Sequence, residues 1–334
     1  MQDTHISLAH GNGGRFMREL IEELFAQRLS HGRLDPLADA VAIDLPEGVP
    51  VVTTDGFSVQ PLEFPGGNLG SLAVHGATND LAVAGAIPRY LTLSAFIEEG
   101  FEVAALERIV DAMAAAAREI EVEVVAGDTK VVPRGHGGGV YFACTAVGTR
   151  DSSLDLTMQG IRMGDVLMVS GSVGDHGTAV MLAREQFGLR GDLQSDSGSV
   201  LAFTRALLDV PGLRFMRDPT RGGLATVGHE IAHATGLEVH LNENDIPVKD
   251  PVRSVCEMLG YDPYFLACEG RVVAVVASDQ AETALARWRA LPGGDEAAII
   301  GHVVNGRPSL ILHTEIGGER VLEELEDDPL PRIC

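Results

Sequence analysis

The run Thr78-Asn79-Asp80-Leu81-Ala82-Val83-Ala84-Gly85-Ala86-Ile87-Pro88-Arg89 sets one carboxylate among small apolar residues. An unpaired carboxylate is costly in such surroundings, so Asp80 needs a partner, whether a local hydrogen-bond donor or a bound ion. Upstream, Phe64 to Asn79 holds 16 residues without Asp, Glu, Lys or Arg. That stretch is broken by Gly and Pro and falls short of the roughly 18 to 20 apolar residues of a membrane-spanning helix.

Outward from this run the chain reads as a folded protein of two domains. It has 334 residues, 45% of them apolar and 22% charged, where a domain takes roughly 150 residues. Forty-eight acidic against 25 basic residues give a net charge of −23. Such a field repels nucleic acid and anionic membrane surfaces, while a nucleotide can still be held by local amides and a divalent cation. Met1-Gln2-Asp3 opens no basic or apolar leader, so the cytoplasm is the expected compartment. Cys144, Cys256, Cys268 and Cys334 form no CxxC pair, which argues against a disulfide framework.

Helical and strand-like patterns alternate throughout. Met17, Leu20, Ile21, Leu24 and Phe25 share one helical face, as do Leu106, Ile109, Val110, Met113 and Ala117, and again Ala281, Ala284, Leu285 and Trp288. Strands are expected at 49–54, 90–96, 122–126, 140–148, 166–170, 271–277 and 309–313. The fold class is therefore mixed α/β. A boundary is expected between Thr149 and Gly164, dividing the chain into 1–155 and 156–320. The acidic stretch from Glu315, with Pro329 and Pro331, reads as an extended, mobile tail, of which 321–334 is the free part.

Three aspartates are expected at strand ends or turns: Asp55 in Thr54-Asp55-Gly56, Asp80, and Asp128 in Gly127-Asp128-Thr129-Lys130. A carboxylate so placed can hold Mg²⁺ on a phosphate, or simply bond the amides of its own turn. No Walker P-loop occurs, but Gly11-Asn12-Gly13-Gly14 precedes a helix that carries Arg15, and amides at such a start can cradle phosphate. His229-Glu230-Ile231-Ala232-His233 matches the zinc-peptidase pattern without a third ligand downstream, and chance on a helix is the preferred explanation. Cys334 stands beside Pro331-Arg332-Ile333, where a thiol on a tail could travel between sites.

Together these segments resemble the HypE family of hydrogenase maturation, the carbamoyl dehydratases. The resemblance runs through Leu8 to Gly14, Thr54-Asp55-Gly56, Phe64 to Gly70, Thr78 to Arg89 and Gly127 to Val132. It continues through Val169-Ser170-Gly171, Gly174-Asp175-His176-Gly177, Arg217 to Gly223, Glu269-Gly270 and Pro331-Arg332-Ile333-Cys334. Most are shared with the wider superfamily of aminoimidazole ribonucleotide synthetase and selenophosphate synthetase; the Pro-Arg-Ile-Cys motif is not.

The resemblance implies a two-domain fold whose N-terminal sheets pair across a homodimer, with ATP in an adjacent cleft. It further implies that the carbamoyltransferase HypF loads a carbamoyl group onto Cys334. ATP-dependent dehydration then yields a protein thiocyanate, and the HypC–HypD scaffold complex receives cyanide for its iron. By the same resemblance Asp55, Asp80, Asp128 and Asp218 hold Mg²⁺, and Gly11, Gly13, Gly14 and Asn79 contact the nucleotide. Lys130 stabilises developing charge, and Glu269 takes an amide proton if burial raises its pKa. The family's Asn-Glu-Gly-Lys reads Cys268-Glu269-Gly270-Arg271 here, and in this light the HExxH run is expected to be a solvent-side accident. Other readings stay open: an enzyme of the superfamily acting on a free small molecule, a non-catalytic carrier, and a peptidase.

Overall fold

A computed structural model describes residues 3–30, 33–36, 38, 40–184 and 191–325. The first unit takes the described residues up to Leu81 and from Ala86 to Asp151; the second takes Ala82–Gly85 and those from Ser152 on.

The first unit begins with α1 (Arg15–Glu19), widens into a π-helical stretch over Leu20–Ala26 and closes as α2 (Gln27–Leu29). Of its expected apolar face, Leu20, Leu24 and Phe25 are buried. Strand β1 (Val49–Phe57) follows, then the short hairpin β2 (Glu63–Phe64) and β3 (Gly67–Asn68). Next come α3 (Leu69–Val83), β4 (Ile87–Glu98), α4 (Val103–Glu119), β5 (Glu123–Val132) and β6 (Val140–Arg150). The sheet order is β1-β6-β4-β5. Only β4 and β5 run parallel, joined through α4 as a crossover helix must join them.

The register assigns each face of this sheet. Leu93, Ala95 and Ile97 of β4 lie opposite Cys144, Phe142 and Val140 of β6, and all six are buried. On the other face Phe96 lies opposite Tyr141, and these are 39% and 38% exposed, with Val52 of β1 at 67%. An antiparallel sheet with one covered face should show polar residues on the other. Here large apolar groups stand there instead.

The second unit carries β7 (Val166–Val169), α5 (Asp175–Ala183), α6 (Leu201–Arg205), β8 (Leu213–Arg217) and α7 (Gly223–Thr235). It continues with β9 (Glu238–Asn242), α8 (Asp250–Leu259), β10 (Val273–Val276) and α9 (Ala281–Arg289). Strands β11 (Ala298–Val304), β12 (Ser309–His313) and β13 (Glu319–Val321) close it. Its seven strands run in the order β13-β12-β9-β11-β7-β10-β8. Val273 and Val275 join one apolar core, Val272, Ala274 and Val276 another, so β10 is covered on both faces. That explains its unbroken apolar sequence. The single tryptophan, Trp288, is fully buried in the second of these cores, and its Nε1–H donates to the Phe203 carbonyl at 2.9 Å.

Two sequence expectations change. The stretch from Glu315 is not tail throughout: a turn at Thr314–Gly318 returns the chain as β13, which pairs with β12. Leu322 is then 1% exposed and anchored by its N–H to the Leu310 carbonyl. Helix α3 was not visible as a helix because it is buried on nearly every side, which erases the 3.6-residue period. Among the described residues no helix is long and apolar enough to cross a membrane.

Candidate functional site

None of the three aspartates stands in a turn. Strand β1 runs on to Phe57, so Asp55 lies within it; Asp80 lies within α3; β5 runs on to Val132, so Asp128 and Lys130 are strand residues. Glycines at 56 and 127 do not end these strands because neighbouring strands hold their backbone in the ladder.

This placement divides the expected ligand set. Thr53 and Asp55, two apart on β1, share a face, and Thr53 Oγ1 donates to Asp80 Oδ2 at 2.8 Å. The partner demanded for Asp80 is thus partly a strand hydroxyl. Asp55 lies opposite Cys144, whose thiol burial pushes up to about 12, with the Asp55 charge adding to the rise. Asp128 belongs elsewhere. It pairs with Ser94 on the opposite, open face of the sheet, three strands away from β1. Three inter-strand steps of about 4.8 Å put Asp55 and Asp128 on the order of 14 Å apart. Lys130 shares the open face and stands 3.8 Å from Asp128 Oδ2, both well exposed. Asp218 is a buried residue of the second unit. Among the described residues no group of three His, Cys, Asp or Glu is assembled for a metal ion.

The expected phosphate loop separates into two parts. A Cβ at Gly11 would lie 2.9 Å from Val131 Cβ, so this glycine lets the loop pack on β5. Gly13, at φ +75°, and Gly14, which caps α1, have open space where a Cβ would point. Asn79 is buried within α3.

A cavity of about 360 Å³ adjoins β5, within the size range of small-molecule pockets, about 300–1,000 Å³. Phe25 and Leu29 wall one side, Leu93, Ala95 and Val124 another, and Asp128 belongs to its lining. A segment with residues 33–36, 38 and 40–42 completes it. Sequence reading missed that segment because it carries no period, and its role depends on what it packs against.

In the second unit Glu269 is 5% exposed. Its neighbour Cys268 is fully buried, its thiol held well above the usual range by desolvation, and it accepts the Gly174 N–H at 3.2 Å. Arg271 donates to the Ser172 carbonyl at 2.9 Å and reaches Asp175 Oδ2 at 3.4 Å, where Lys249 Nζ also binds at 2.6 Å. Burial pushes the Asp196 carboxyl up, and pushes His176 down to about 3. Cys334 lies outside the described residues.

The family is decided by comparison over the whole length. The chain is 46% identical to carbamoyl dehydratase HypE of Azotobacter vinelandii, over 100% of this chain and 98% of that one. The HypE protein of Escherichia coli K12 is 41% identical, over 99% and 100%. This chain belongs to the HypE family. Residues 37–150 and 162–313 match the N- and C-terminal domains of AIR synthase related proteins. A crystal structure of HypE in complex with ATP superposes with a TM-score of 0.93 at 41% identity, covering 98% of this chain and 99% of that one. HypE in a HypE–HypF complex superposes at 0.80 with 38% identity, covering 92% and 99%.

The HExxH run is not wholly on the solvent side as expected. His229 is 7% exposed. Its burial lowers its pKa, while His233 reaches Glu324 at 3.9 Å. A second histidine group, His240, His302 and His313, lies on neighbouring strands, where both nitrogens of His240 are engaged in protein contacts: Nδ1 meets His313 Nε2 at 2.7 Å and Nε2 meets Glu238 at 2.5 Å.

Proposed function

We propose that this chain dehydrates a carbamoyl group carried on its own Cys334, using ATP, to give a protein thiocyanate. The observation that carries the reading is the full-length identity with named carbamoyl dehydratases. The carbonyl oxygen of the thiocarbamate attacks the γ-phosphorus and ADP leaves. Loss of the two amide protons and of inorganic phosphate, with cleavage of the C–O bond, leaves Cys–S–C≡N. The amide oxygen is a poor leaving group until phosphorylated, which is why the reaction consumes ATP.

The residues support these roles unevenly. The apolar cavity beside β5 suits the base of ATP, and the open loop at Gly13 and Gly14 suits its phosphates, with Asn79 kept as a nucleotide contact. Asp55 and Asp80, linked through Thr53 on the face Asp55 shares, are the pair we assign to Mg²⁺, which would supply neutralisation of phosphate charge. Asp128 is not with them in one chain, and Asp218 is kept as an expected ligand from the second unit. Lys130 is assigned to charge on the transferring phosphoryl group. Glu269, buried, is assigned as the base that takes an amide proton.

The apolar open face of the first sheet, with Val52, Phe96 and Tyr141, is where we place the homodimer contact. HypF is the loading partner we infer, as its complex with a similar HypE chain suggests. HypC–HypD is the acceptor of cyanide bound for the iron of a hydrogenase. Deleting Ile333 and Cys334 tests the reading: ATP turnover should stop with nucleotide affinity intact, whereas continued turnover would mean a free small-molecule substrate.

A further inference from the structure

We propose that Asp196 is a positioning residue for the dehydration, tying the Glu269-Gly270 turn to the start of α5 and thereby fixing where the Glu269 carboxylate stands. The inference rests on Glu269 serving as the base. Asp196 lies outside every segment that carries the family resemblance, yet its fully buried side chain joins two of them. Its Oδ1 accepts the His176 N–H at 2.9 Å, and its Oδ2 accepts the Gly270 N–H at 3.0 Å. Arg271 Nε stands 3.8 Å from the same Oδ2, with the Asp196 side chain 0% exposed.

The segment around Asp196 lies directly across the Glu269 backbone. Gly198 N–H donates to the Glu269 carbonyl at 3.4 Å, and a Cβ at Gly270 would come within 1.9 Å of the Asp196 carbonyl oxygen. Only glycine fits there, because the obstructing atom is backbone and cannot turn away. Ser195 Oγ adds a hydrogen bond with His176 Nδ1 at 2.8 Å. On the other flank, Cys268 N–H donates to the Pro219 carbonyl at 3.0 Å, one residue from Asp218. The peptide of Glu269 is therefore held from both sides, and Asp196 supplies a side-chain link.

The cation beside it fits the same purpose. Arg271 donates to the Ser172 carbonyl at 2.9 Å, to Ser172 Oγ at 3.2 Å and to Asp175 Oδ2 at 3.4 Å. A planar fork serves several acceptors at once, which a lysine ammonium does less well. The buried acids are thus neutralised without loosening the turn. A base displaced by about 1 Å from its proton can lose about 10²-fold in rate, so a rigid turn has a kinetic consequence.

Asp196→Asn keeps the shape but turns an NH₂ toward one of the two amide donors, which removes one clamp. Single-turnover dehydration of carbamoylated Cys334, followed by mass, should slow about tenfold or more, by analogy with other losses of positioning. The ATP dissociation constant should stay within about twofold, since binding is not at issue. Placed on Glu269→Gln, the same substitution should add nothing, because residues acting through one group are non-additive. A wild-type rate for Asp196→Asn, an undiminished further loss on Glu269→Gln, or a parallel loss of ATP affinity would each overturn the proposal. A wild-type rate for Glu269→Gln alone would instead remove the base assignment, and this proposal with it. Should Asp196→Asn not fold, as read by Trp288 emission, Asp196→Glu takes its place. It keeps both acceptors but shifts them by one methylene, and the same outcomes decide.

Discussion

Acid should destabilise the second unit through one buried imidazole. His176 is 0% exposed, and desolvation lowers its pKa from 6.5 to about 3. Its unfolded form therefore binds a proton below about pH 6.5 while the folded form does not, so stability falls as pH drops through that window. With one pKa unit worth about 1.4 kcal/mol, going from pH 7 to pH 5 costs about 2 kcal/mol from this group alone. The single tryptophan makes the effect readable, because Trp288 is buried in the second unit and its emission reports that unit's unfolding. Urea titrations at the two pH values would be run on the wild type and on His176→Asn. Depressed pKa values at His229 and His302 act in the same direction in both proteins, so the difference isolates His176. An equal loss in both would refute the reasoning that burial holds this imidazole neutral.

Other substitutions separate packing from chemistry. Asp80→Asn should lower ATP turnover by about 10²-fold or more, the scale for losing one preorganised electrostatic contact, while Thr53→Val, which removes only the hydroxyl bonded to Asp80, should cost far less; steady-state ADP release checks both. Gly11→Ala meets Val131 and should cost about 1–3 kcal/mol by overpacking, seen as a lower melting temperature. Gly14→Ala, with nothing within 4 Å, should leave melting unchanged and weaken ATP binding in calorimetry. Phe96→Glu, on the open apolar face, should give a monomer in sedimentation analysis, and an unchanged dimer would move the interface elsewhere.

Periodicity made the two-sided strands and the exposed helices legible. Leu106, Ile109, Val110, Met113 and Ala117 on α4 all proved buried, because one face of that helix meets solvent and the pattern survives. It failed at α3, where Ala, Gly, Val and Leu are buried all round, and at β8, β9 and β11, whose apolar residues are interrupted by Arg214, His240 and Gly301-His302. The site aspartates were legible as residues but not as geometry. Asp55 and Asp128 each stand beside a glycine, which reads as a turn, yet ladder pairing carries both strands past it. Asp196 left no trace in the pattern at all: Ser195-Asp196-Ser197-Gly198 looks like any polar loop, and its partners lie about 20 and 74 residues away. Such contacts exist only once the chain has folded.

The fate of Cys334 decides most directly whether this chain is a dehydratase. The chain would be loaded by HypF, and the peptide carrying Cys334 weighed before and after addition of Mg-ATP. A gain of one carbamoyl group on Cys334, followed by loss of one water, is the expected result. Loading without water loss would make the protein a carrier only, and no loading by an active HypF would contradict the assignment of Cys334 itself.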